Sequence, residues 1–190
     1  MSQPPADDPF GAPGTGRTFI MPTPGVRAVP TAHASPRAHS GADVAADIGP
    51  SESGLNPLVA LANRMLALVP QIRATHQLAD PSSLRDSIAQ GLREFESQAR
   101  AKGIAPERVL AARYILCTLI DEVAAGMPWG SSGHWSRHSL LAMFHNETGG
   151  GEKVFQLMAK LAKDPSNNRD LLELIYAALC MGFEGRYRVV

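Results

Sequence analysis

A chain of 190 residues has room for one domain, or for one domain and a tail. Its 18 basic and 18 acidic residues cancel, which removes any general attraction to nucleic acid or to an anionic lipid surface. No stretch approaches the roughly 20 apolar residues needed to cross a bilayer, and no basic flank leads into an apolar core at the N-terminus. As written, the chain reads as soluble and without a signal peptide.

Residues 1–53 carry nine of the fifteen prolines, no leucine and only two aromatics, Phe10 and Phe19. Such a segment buries too little apolar surface to offset the entropy of ordering and is expected to be a disordered tail, leaving 54–190 as the folded domain. The run Arg17-Thr18-Phe19-Ile20-Met21-Pro22 is its one locally apolar patch. A plain spacer and a short docking motif both fit it.

Asn56 followed by Pro57 marks a helix start, with the amide side chain as cap and proline where its missing N–H costs nothing. Leu58, Ala62, Met65, Val69 and Ile72 then recur at helical spacing, and Pro70 is expected to bend or end that helix. Asp80-Pro81 repeats the start signal. Leu84, Ile88, Leu92, Phe95 and Ala99 form the next stripe, and Gly103 supplies the stop. A third helix opens near Pro106 with Val109, Ala112, Leu116, Ile120 and Val123 on one face. Tyr114 and Cys117 widen that stripe, which predicts contact on more than one side.

Gly126, Pro128, Gly130 and Gly133 make the next stretch a loop. A short helix is expected through Leu140, Leu141 and Phe144, followed by a glycine loop at 149–151. Val154, Phe155, Met158 and Leu161 then mark one helix, and Leu171, Leu172, Ile175, Leu179 and Phe183 the last. No segment alternates with the period of a strand. The expected fold is all-α, about six helices packed in bundles. Cys117 and Cys180 both fall inside apolar patterns and read as small buried hydrophobes, unpaired.

Each chemical signal has a bland counterpart. Asp121-Glu122 could be an acid–base pair, but neighbours on a helix diverge by about 100°, so the two carboxylates do not easily meet one substrate atom. A helix-end acidic patch facing a basic partner and a plain solvated charge pair are the other readings. His134 and His138, four apart and near His145, Glu147 and Glu152, suggest a metal-dependent hydrolase. Against it, no His-Glu-x-x-His motif or cysteine pair supports the site, and His145 at a helix end can serve the last carbonyls instead. Gly149-Gly150-Gly151-Glu152 lacks the Lys-Ser/Thr of a phosphate loop and fits a turn, with Glu152 complementing a helix dipole. Trp129 and Trp135 read either as a lid over a core edge or as interface anchors. Arg186, Tyr187 and Arg188 form a basic aromatic cluster beside Glu184.

These blocks, in order, carry a resemblance. Ala112-Arg113-Tyr114 leading to Asp121-Glu122, then Trp129-Gly130, Phe144-His145 with Glu147, Gly150-Gly151-Glu152, and Gly182-Phe183-Glu184-Gly185-Arg186-Tyr187-Arg188 resemble the DotU/TssL (IcmH/DotU) family of type VI secretion inner-membrane components. Residues 17–25, Arg-Thr-Phe-Ile-x-Pro-x-Pro-Gly, are also similar to an Arg-Thr-hydrophobic-Ile-Arg-Pro-x-Pro-Gly element of long-tailed members. The resemblance implies a cytoplasmic domain of two packed three-helix bundles at the cytoplasmic face of the bacterial inner membrane. It implies no cofactor, no enzymatic activity and no nucleic acid or small-molecule substrate. The implied partners are a TssM-like inner-membrane protein and TssK/TssE-like baseplate proteins. By this analogy Asp121 and Glu122, with Trp129 and Trp135 beside them, are expected to form a partner-binding surface.

Family members continue past the Gly-Arg-Tyr-Arg block into further helical sequence and a membrane helix, whereas this chain stops at Val190. The second bundle is therefore expected to be incomplete, with an exposed apolar face on the last helix and dimerisation as a consequence. Forkhead-associated domains, which read phosphothreonine, accompany many of these systems. A phosphate on Thr18 would place about two negative charges beside Arg17, within reach of such a reader.

Overall fold

The computed structural model describes residues 56–131 and 133–187; the Pro-rich tail and Thr18 lie outside the described residues. Eight α-helices and a terminal 3-10 turn form there, and no β-strand. The six expected helices are all present. The first is split in two, and one extra helical turn appears in the loop.

Helix α1, Pro57–Leu66, begins as its sequence dictates: the Asn56 carbonyl side chain accepts the Val59 N–H at 2.9 Å. It stops at Leu66 because Pro70 has no N–H to give the Leu66 carbonyl, and its ring crowds that oxygen. The chain resumes as α2, Leu68–Ala74. Helix α3, Pro81–Ala101, is capped by Asp80, whose carboxylate accepts the Ser82 and Ser83 N–H groups at 2.9 and 3.2 Å. It ends in a Schellman turn. Gly103, at φ 75°, donates to the Arg100 carbonyl at 2.9 Å and Ile104 to that of Ala99 at 3.0 Å.

Helix α4, Pro106–Ala125, is the hub. It packs against α1, α2 and α3, and also against α5 (His134–Arg137), α6 (Leu140–His145), α7 (Gly151–Leu161) and α8 (Arg169–Cys180). Every residue from Ile115 to Asp121 is buried, so the wide stripe seen in the sequence marks a helix enclosed on nearly all sides. Around it Leu58, Ile72, Leu84, Leu92 and Leu174 complete the core. The 3-10 turn, Gly185–Tyr187, folds back onto α7.

Helix α8 buries Leu171, Leu174, Ile175 and Ala178 and turns Tyr176 outward. Cys117 is buried as expected, but Cys180 is exposed, because it lies on the outward side of α8 with Tyr176. No helix among the described residues is long and apolar enough to cross a membrane.

Candidate functional site

The sequence blocks meet at the C-terminal half of α4. Asp121, expected on a surface, is buried instead. Its Oδ1 accepts the Trp135 indole N–H and the Leu140 backbone N–H, both at 2.9 Å, and its Oδ2 accepts the Leu141 N–H at 2.8 Å. The carboxylate therefore caps α6 from another helix, while Ser139 supplies the ordinary cap by accepting the Ala142 N–H at 3.1 Å. Burial pushes the Asp121 carboxyl up from its usual range, and the donors from Leu141, Leu140, Trp135 and Ser139 pull it back. These oxygens are already engaged by the protein's own donors.

Glu122 leaves the helix in a different direction and stays half-buried. Its Oε1 accepts the Glu184 N–H at 2.8 Å and its Oε2 the Gly185 N–H at 2.7 Å. The two neighbouring carboxylates thus hold separate stretches of backbone.

Both tryptophans cover a core edge. Trp135 is buried. Trp129 is half-buried, donates its indole N–H to the Thr75 carbonyl at 2.8 Å, and meets Trp135 edge-to-face at 5.7 Å between centroids. Gly130 brings the loop flush against the end of α4: a Cβ there would fall on the Ala124 carbonyl.

About two turns earlier on α4, Arg113 pairs with Glu96 at 2.6 Å and lies over the Phe144 ring at 5.3 Å. Tyr114 donates its hydroxyl to Glu147 at 2.9 Å, and Lys153 pairs with the same carboxylate at 2.7 Å. His145 closes α6 with its ring edge-on to Tyr114 at 5.0 Å. Its Nε2 is buried without a partner, and burial followed by the Arg113 charge holds its pKa below the usual histidine value.

The glycine block brings two stretches of backbone into contact. A Cβ on Gly151 would sit 2.8 Å from the Gly185 Cα, and one on Gly150 would strike Thr118 and Leu141. Glu152 sits in the first turn of α7 as expected and pairs with Arg186 at 3.0 Å; Arg186 in turn covers the Tyr187 ring at 4.8 Å. Glu184 is exposed.

Two clefts result, and Glu122 lines both. The larger, about 310 Å³, is bounded by Arg73, Met127, Gly182 and Glu184. The smaller, about 220 Å³, is bounded by Thr118, Asp121, Trp135, Ser139 and Gly185. His134 opens α5 and His138 follows its end, exposed. Among the described residues no group of three or more His, Cys, Asp or Glu comes together as metal ligands would. What this site can do is hold backbone and present a polar concavity.

Thr75, Glu96, Thr118 and Arg73 belong to the site without any signal in the sequence. Ser139 had one, as a serine directly before an apolar pair.

The sequence profile described as "Type VI secretion system protein DotU" matches residues 57–190. Among solved structures the chain is similar to TssL from Vibrio cholerae, at 34% identity over 73% of this chain and 86% of that one, with a TM-score of 0.65. It is similar to the cytoplasmic domain of TssL from Acinetobacter baumannii at 26% identity, covering 70% and 85% of the two chains, with a TM-score of 0.64. SciP/TssL from enteroaggregative Escherichia coli 042 agrees in fold, at 21% identity, 70% and 77% coverage and a TM-score of 0.63. No curated protein sequence matches.

Proposed function

The chain belongs to the DotU family of type VI secretion proteins, and from that membership we propose that it is a scaffold joining the membrane complex of the machine to its cytoplasmic baseplate. It acts at the cytoplasmic face of the inner membrane through contacts with TssM-like and TssK/TssE-like proteins, and it catalyses no reaction. The observation that carries this reading is how the site's polar groups are used. Asp121 and Glu122 spend their oxygens on backbone N–H groups, while Glu122 borders two open clefts that a partner could enter.

Reversing the charge at both 121 and 122 would confound binding with folding, because Asp121 is a buried cap. Glu122→Lys is the cleaner variant. Co-purification with TssK/TssE-like baseplate proteins is expected to fall about tenfold or more while helical content is retained. Undiminished co-purification by a folded variant would retire the proposed binding face.

A further inference from the structure

We propose that residues 184–187 form a removable strap over Glu122, and that the partner group which displaces the strap is an arginine side chain. This rests on the reading that the partner binds at Glu122.

The geometry of the Glu122 contact points to arginine. Two successive N–H groups approach one carboxylate, each on its own oxygen, at 2.8 and 2.7 Å. A guanidinium presents the same pair of parallel donors and adds a full positive charge, so it matches the strap's geometry and exceeds its strength. A lysine ammonium is a point charge and lacks that fork.

The strap is held unevenly. On its near side Phe183 is buried against Phe155, and Arg73 donates to the Gly182 carbonyl at 3.2 Å. Past Phe183 the contacts lie at the surface: Glu184 is exposed, Tyr187 is 61% exposed with its ring edge-on to Phe155 at 4.9 Å, and Arg186, over the Phe155 ring at 5.5 Å, forms an ion pair with Glu152 open to water. Pairs of that kind contribute little. Gly185, at φ 53°, supplies a flexible joint immediately beyond the anchor. The segment can therefore peel from Glu122 while Phe183 stays in place.

Peeling would join the two clefts, since Glu122 lines both and Gly185 and Glu184 stand between them. Arg73 lines the larger cleft and repels an incoming cation there. The smaller, with Asp121 and the hydroxyls of Thr118, Ser136 and Ser139, is the side from which a guanidinium would enter. Partner binding and strap release are then one equilibrium, and the strap lowers apparent affinity by the fraction of time it is closed.

The test uses the full chain, with the amide protons of Glu184 and Gly185 followed by NMR. Blocked Gly-Arg-Gly and Gly-Lys-Gly peptides are the probes. The arginine peptide is expected to speed exchange of both amides and to bind more tightly than the lysine peptide, with Glu122→Gln abolishing the difference. Gly185→Ala strains the strap through its positive φ and a Cβ 2.9 Å from the Phe155 ring; it is expected to bind the arginine peptide about threefold tighter. Should that variant disturb folding, Arg186→Ala loosens the strap from outside the clefts and is expected to tighten binding likewise. Arginine binding with both amides still protected, or no gain in either loosened variant, would overturn the strap; Glu122-dependent baseplate binding would then leave the scaffold reading intact. Strap release by the arginine peptide, together with baseplate binding indifferent to Glu122, would sink the scaffold face alone. No interaction of either kind at Glu122 would end both.

Discussion

Adjacent carboxylates on α4 do different work because successive residues of a helix leave its axis about 100° apart. Asp121 points into the body and satisfies the Trp135 indole and the first two N–H groups of α6; Glu122 points toward the C-terminal segment. A buried donor left without its acceptor costs about 1–3 kcal/mol. Asp121→Ala orphans three donors at once, so it is expected to lower the unfolding free energy by about 3 kcal/mol or more, read by urea denaturation. Asp121→Asn should recover only part of that, because its amide nitrogen would face one of the N–H donors. A loss within error for the alanine variant would mean that water, and not the carboxylate, satisfies these groups.

The helices differ in how their ends are made. α1 and α3 have side-chain caps written beside them, at Asn56 and Asp80. α6, with six residues, is far too short to persist alone and depends on two caps, local Ser139 and distant Asp121. α4 opens at Ala105, which has extended backbone and no side chain to offer. Ala105→Asp or Ala105→Ser would supply the missing acceptor at an exposed position, and the carboxylate would also complement the helix dipole. Either change is expected to stabilise the domain by about 0.5–1 kcal/mol, measured as a shift in denaturation midpoint at constant slope. No gain would mean that Pro106 already fixes the entry angle and that water serves the first N–H groups.

Because α4 touches every other α-helix among the described residues, no part of the domain can lose α4 and keep its core. Trp129 and Trp135 stand together at the junction of α2, α4 and α5, where Trp129 reaches back to Thr75 and Trp135 to Asp121. Their fluorescence should therefore report the same event as the loss of helix. Midpoints from tryptophan emission and from far-ultraviolet circular dichroism are expected to coincide, as in a two-state transition. An earlier fluorescence transition would show that the loop and α5 open before the hub does.

Helix starts and stops were legible along the chain because they rest on neighbours: Asn56-Pro57, Asp80-Pro81, Pro106 and Gly103 each act within a turn of themselves. The apolar stripes, the all-α class and the family blocks followed from the same local record, and the broad stripe at Tyr114–Cys117 even announced a central helix. The surroundings of Asp121, Trp135, Glu122 and Cys180 were not written there. Asp121 reads as a solvated charge until Leu140, Leu141 and Trp135 are brought to it from 14 to 20 residues away, and Glu122 finds its donors 62 and 63 residues on. Composition and periodicity record what a residue does to its own helix. Which distant backbone a carboxylate will face is settled when the helices pack, because only then is its water removed and a partner required in its place.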